Sequence, residues 1–230
     1  MSTKKKPVTH VALILDRSSS MSSIRTEAIG AFNDQLKVIQ EAELDGNENF
    51  VSLITFSTFV DDPHYFDAPA RKLPLLTEEN YVPSGGTALL DALASTIKKL
   101  KELPDADNEN TSFLIATITD GEENSSKDYS RFNGGPEKIS AMIKELEETD
   151  RWTFTYLCAN VDPTKFKETL GVSAGNFSSF MSTSGGTLRA SQLHSHSTSN
   201  FFQGRSKGMT STPDFYTSNS IDVDPDQECK

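Results

Sequence analysis

"VTHVALILDRSSSMSS" (residues 8–23) sets an unbroken apolar run against an aspartate and a cluster of hydroxyls. Residues 8–16 are short and rich in β-branched side chains, with apolar residues on both parities. That is the signature of a strand covered on both faces, as in a parallel sheet. Three further runs share it: "FVSLITFS" (50–57), "SFLIATITD" (112–120) and "WTFTYLCA" (152–159). "NFSSFMST" (176–183) reads as a last, weaker strand. "FVDDPHYFDAP" (59–69) follows its predecessor with little linker, and its prolines suit an antiparallel edge.

Helical periodicity fills the intervals. Ile24, Ala28, Phe32, Leu36 and Ile39 recur at three or four residues in 23–42, behind a Ser22/Ser23 N-cap. Leu89, Leu90, Leu93, Ile97 and Leu100 mark 87–103, and Ile139, Met142, Ile143 and Leu146 mark 136–149, where Pro136 suits the first turn. A short helix is expected at 162–170, capped by Asp162 and stopped by Gly171, and a final one starts near Thr187 with a poor apolar stripe. Strand and helix alternate, so the spacing predicts an α/β fold. Its sheet is doubly wound, six-stranded and mostly parallel, with one antiparallel edge strand and helices on both faces. The expected organisation is a basic extension (1–7), one domain (8–207) and an acidic, Ser/Thr-rich flexible tail (208–230), which holds five acids against one lysine.

The whole chain has 22 Lys and Arg against 33 Asp and Glu, a formal charge of −11. Nucleic acid and anionic membrane both require a basic face, so neither is an expected partner. Two cysteines, Cys158 and Cys229, give no disulfide framework, and no apolar run approaches the ~20 residues that span a bilayer. A cytoplasmic setting is expected.

In an open parallel sheet, sites form at the carboxyl ends of the strands. Three suggestive stretches fall there: Asp16-x-Ser18-x-Ser20; "SGGT" (84–87), where Gly85 and Gly86 allow a close turn before Thr87; and "TITDGEEN" (117–124), with Asp120 ending its strand. Together they offer two carboxylates and three hydroxyls with no nitrogen or sulfur, a donor set for a hard divalent cation. No lysine follows Gly86, so a phosphate-binding Walker loop is not supported. Asp91 is expected to bond neighbouring loop backbone, and Glu122 and Glu123 to be solvated rim charges. His194 and His196 form an H-x-H without a second His or Cys cluster.

These residues match a known pattern. The chain resembles von Willebrand factor A (VWA) domains and the inserted domains of integrins, over roughly residues 8–185, and all five positions of their metal-ion-dependent adhesion site (MIDAS) are filled. The resemblance implies a Rossmann-like fold in which Ser18, Ser20 and Thr87 touch the metal, with Asp16 and Asp120 holding it directly or through water. The implied cofactor is Mg²⁺, with Mn²⁺ or Ca²⁺ as substitutes. The implied function is metal-dependent binding of a protein partner that presents an Asp or Glu side chain, without catalysis. Bacterial cytosolic members work beside AAA+ ATPases or in stress-response assemblies, which the resemblance offers as a setting. The alternative is a metal-dependent phosphotransferase or hydrolase using the same acids. A phosphotransferase of the haloacid dehalogenase type needs a second acid two residues after the first, and here that position is Ser18. A serine hydrolase needs a G-x-S-x-G elbow, which the chain lacks.

Overall fold

A computed structural model describes residues 6–43, 47–160, 166, 170–171, 173–181 and 183–217. Its strands are β1 (Val8–Asp16), β2 (Glu48–Phe56), β3 (Tyr65–Pro69), β4 (Thr111–Thr119), β5 (Trp152–Ala159) and β6 (Phe177–Phe180). Its α-helices are α1 (Arg25–Ala42), α2 (Leu89–Lys101), α3 (Gly135–Glu147) and α4 (Ser184–Ser206). The expected helix at 162–170 falls almost wholly outside the described residues.

The strands form one six-stranded sheet in the order β3-β2-β1-β4-β5-β6. All neighbours are parallel except β2 and β3. The architecture is therefore the doubly wound, mostly parallel α/β sheet with an antiparallel edge that the hydrophobic pattern predicts. Side chains alternate across a strand, so β1 feeds two cores. Val11, Leu13 and Leu15 pack with Phe32, Leu36 and Ile39 of α1 and with Phe201 and Phe202 of α4. Ala12 and Ile14 pack on the other face with Leu90, Leu93 and Ile97 of α2 and Ile139 and Ile143 of α3. Fully burying a side chain of this size stabilises by roughly 1.5–3 kcal/mol, so these two layers fix the sheet between its helices.

Two local expectations fail. Ser22 and Ser23 do not cap α1; residues 19–24 form a 3-10 turn first, which drives Met21 and Ile24 into the core, and α1 begins at Arg25. The stretch read as a flexible tail from Gly208 packs against the domain as far as Tyr216. Phe215 and Tyr216 are buried, Phe215 N donates to Asn176 Oδ1 at 2.9 Å, and Tyr216 N donates to Gly175 O at 2.8 Å. Two aromatic rings and these backbone bonds outweigh the polar composition around them. Residues 218–230 lie outside the described residues. Among the described residues, no helix is long and apolar enough to cross a membrane.

Candidate functional site

The strand order turns at β1, whose partners are β2 on one side and β4 on the other. The chain leaving the carboxyl ends of β1 and β4 stands at that switch in strand order, where open parallel sheets form their sites. Asp16 is the last residue of β1, and Asp120 stands one position past the end of β4.

Hydrogen bonds draw four of the five candidate residues together. Asp16 Oδ1 accepts from Ser18 N at 2.7 Å, and the Ser18 and Ser20 hydroxyls share a bond of 3.0 Å. Ser20 Oγ donates to Asp120 Oδ1 at 2.7 Å, across a separation of 100 residues. The fifth, Thr87, is held beside them. A Cβ on Gly121 would stand 3.3 Å from Thr87 Oγ1 and 3.7 Å from Ser20 Oγ, so both hydroxyls flank one glycine.

The Thr87 loop depends on close backbone approach. Gly85 has φ +75°, the left-handed region that suits glycine. A Cβ on Gly86 would meet Ser125 Oγ at 2.1 Å and Asn124 Oδ1 at 2.7 Å. Thr87 is pinned on both sides: its amide donates to Asn124 Oδ1 at 2.9 Å, and its carbonyl accepts from Asn124 N at 3.0 Å and Ser125 N at 3.1 Å. Asp91 binds loop backbone as expected, accepting from Lys127 N at 2.7 Å and Tyr129 N at 2.8 Å.

Charge is poorly balanced at the centre. Arg17 is next to Asp16 in sequence, yet its guanidinium turns to Asp61, making two bonds of 2.5 Å, and to Ser84 Oγ at 3.0 Å. Asp16 is left fully buried without a cation. Burial pushes its carboxyl up to about 6, against the opposing hydrogen bonds from Thr119 and Ser18. Burial also raises Asp120, and the Ser20 hydroxyl only partly offsets it. Two neighbouring acids held above their ordinary range, with three hydroxyls alongside, form an arrangement that a divalent cation would satisfy. The residues fit such a cation by chemistry: every donor is a hard oxygen.

Several residues that the pattern did not single out hold this site. Thr119 Oγ1 donates to Asp16 Oδ2 at 2.6 Å, and Tyr81 OH donates to the Asp16 carbonyl at 2.5 Å. Strand alternation could have found Thr119, since it ends β4 beside Asp120; Tyr81, in a loop, carries no such signal. Glu123 corrects an expectation. It is not a solvated rim charge but buried, and its carboxylate accepts from Leu90 N (2.9 Å), Ser125 N (2.8 Å), Ser126 N (2.8 Å) and Ser126 Oγ (2.7 Å). The first turn of α2 has amides without intrahelical partners, and Glu123 satisfies one of them. Glu122 is exposed. The two histidines of H-x-H separate: buried His194 bonds Tyr216 OH at 2.8 Å, and His196 bonds Asn200 at 3.2 Å. Among the described residues, no cluster of three or more His, Cys, Asp or Glu side chains is placed to hold a metal ion, so a site here rests on hydroxyls as well as acids.

No protein-family model matches the chain, and no curated protein matches it by sequence. Solved structures do match. A von Willebrand factor type A structure from Catenulispora acidiphila aligns over 89% of this chain and 43% of its own, with 15% identity and a TM-score of 0.55. The fold is that of a VWA domain. The manganese-loaded TRAP protein of Plasmodium vivax aligns over 76% of this chain and 69% of its own, at 17% identity and a TM-score of 0.52. Proximal thread matrix protein 1 of the mussel byssus, with a zinc-occupied MIDAS motif, aligns over 83% of this chain and 46% of its own, at 14% identity and a TM-score of 0.50. The chain thus spans less than half the length of the Catenulispora and mussel chains. In this fold the chain after β1 and β4 brings Asp16, Ser18, Ser20 and Asp120 into one run of hydrogen bonds, with Thr87 beside Gly121.

Proposed function

We propose that this VWA domain is a metal-dependent protein-binding module. Ser18, Ser20 and Thr87 would supply neutral oxygens to a Mg²⁺ ion, with Asp16 and Asp120 providing the negative charge directly or through water. Bound there, a dication with so few charged ligands supplies an electrophilic centre for an Asp or Glu carboxylate of a partner protein. Mn²⁺ and Ca²⁺ share the preference for oxygen and would substitute. The observation that carries this reading is the run of bonds from Asp16 through Ser18 and Ser20 to Asp120, buried at one end with no cation on Asp16. Solved structures of the same fold with manganese, and with zinc in a MIDAS motif, support it.

The chain's own residues then do three things. Thr119 and the Ser18 amide orient the Asp16 carboxylate. Asn124 and Ser125 hold Thr87 from behind. Arg17 is kept on Asp61, where it does not neutralise the site. No bond of the partner is broken in this reading. The free, buried thiol of Cys158 agrees with a cytoplasmic location. The family resemblance points further to an AAA+ ATPase or stress-response assembly as the partner's setting.

Calorimetric titration with Mg²⁺ tests the reading. One-to-one binding is expected for the wild-type chain and at least tenfold weaker binding for Thr87→Val, which removes one donor. Absence of Mg²⁺, Mn²⁺ and Ca²⁺ binding would contradict it, as would metal-dependent hydrolysis of p-nitrophenyl phosphate lost in the same variant.

A further inference from the structure

Beside the three site loops stands an aromatic ring that neither core uses. Phe59 is 59% exposed, at the tip of a tight turn after β2 in which Ser57 N donates to Phe59 O at 2.8 Å and Phe56 bridges to Val60. One exposed phenylalanine is unremarkable on its own. This one is fastened to the site. Thr58 Oγ1 accepts from Gly86 N at 2.9 Å, and Ala88 N donates to Ser57 O at 2.7 Å, one residue to either side of Thr87. Those bonds keep Phe59 within about 12 Å of Thr87, the reach of three or four extended residues.

A cation accompanies the ring. Lys127 Nζ lies 4.4 Å from the Phe59 ring centroid, a cation–π distance. Its backbone amide is anchored on Asp91 of α2. Among the described residues its ammonium is in no ion pair, whereas Arg17 is occupied by Asp61. Among the described residues the rim therefore presents an apolar surface and a positive charge in no ion pair, positioned by hydrogen bonds to the loop that carries Thr87 and to Asp91 of α2.

We infer that Phe59 and Lys127 form a second contact point that selects the partner of the metal site. That partner is an acidic peptide segment with an aliphatic or aromatic residue a few positions from its metal-directed carboxylate. This rests on the metal-dependent reading above. The apolar residue covers the exposed ring, and a second acid of the segment pairs with Lys127. Charge complementarity favours an acidic occupant at this place. A chain of net charge −11 repels such a segment over most of its surface, while a bound dication and Lys127 attract it here. The ring-and-ammonium pair then fixes which acid of the segment reaches the metal.

Fluorescence anisotropy with three labelled, blocked peptides tests this on the full chain in Mg²⁺. The first carries one aspartate in a Gly/Ser background. The second adds a leucine two residues after that aspartate, and the third keeps the leucine but replaces the aspartate by asparagine. The leucine peptide is expected to bind the wild-type chain about tenfold tighter than the Gly/Ser peptide, as partial burial of one leucine allows. Phe59→Ala should reduce that ratio to near one, with circular dichroism confirming its fold. Equal affinities on the wild-type chain, or a ratio that survives Phe59→Ala, would overturn the inference while leaving the metal site standing. Failure of both aspartate peptides to bind, or binding indifferent to EDTA or to the asparagine replacement, would overturn the inference and the metal-site reading together.

Discussion

Asp16 and Glu123 are both buried acids, and their surroundings give them opposite roles. Glu123 receives three backbone amides and a hydroxyl, which compensate its charge and brace the start of α2. Asp16 receives one amide and one hydroxyl, and burial dominates, raising its carboxyl to about 6. A buried charge without a partner opposes folding, so Asp16 is retained at a cost to the metal-free domain. Asp16→Asn keeps the shape and an acceptor for Ser18 N while removing the charge. It should stabilise the domain in EDTA by about 1–3 kcal/mol and abolish Mg²⁺ binding, as read by urea unfolding and calorimetry. Loss of stability in EDTA would instead make Asp16 a structural acid. At this scale the sequence separates poorly: Glu122 and Glu123 are neighbours of one type, and only the approach of α2, 33 residues earlier, makes Glu123 a cap. The Asp16-x-Ser18-x-Ser20 spacing was legible because its mutual contacts are local; the contribution of Tyr81, 65 residues away, was not.

Helices with an apolar stripe were legible in the sequence, and α4 shows why one was faint. Its inward face includes Ser191 bonded to Asp34 and Thr198 bonded to Gln35 of α1, with His194 and Arg205 buried and bonded elsewhere, so polar side chains replace much of the usual hydrophobic repeat. Arg205 reaches the carbonyls of Val8, Asn110 and Met209 and ties the end of α4 to the amino-terminal edge of the sheet. His194 joins α4 to the segment bearing Phe215 and Tyr216, and burial lowers its pKa to about 3. The unfolded chain, with an ordinary imidazole near 6.5, takes up a proton first as the pH falls. The neutral ring's contribution is therefore lost below about pH 6.5, at up to about 1.4 kcal/mol per unit. Between pH 7 and 5 the wild-type chain should lose about 2 kcal/mol more stability than His194→Gln, measured by urea unfolding. Identical losses would mean that the ring is open to protons in the folded state.

For the whole molecule, strand order decides what the sequence brings together. Asp16 ends β1 while Thr87 and Asp120 lie on two separate connections, and they meet because β1 lies between β2 and β4 with its carboxyl end at the turn of the winding. Alternating strand and helix patterns carried that architecture, since parallel neighbours require crossovers. The last segment was misjudged because composition averages over a window, while Phe215 and Tyr216 are two residues whose burial depends on a surface built from Asn176, Thr153 and α4. The same dependence on distant surfaces governs Phe59 and Lys127, whose proximity follows from loops that meet only in the folded chain. Everything proposed for function turns on whether those meeting loops hold a dication. Anomalous diffraction from a crystal grown with Mn²⁺ tests this most directly. The expected result is a single strong peak within coordinating distance of the Ser18 and Ser20 hydroxyls and bordered by Thr87 and Asp120. A map with no peak there, or with manganese only at other acids of this acidic chain, would contradict it.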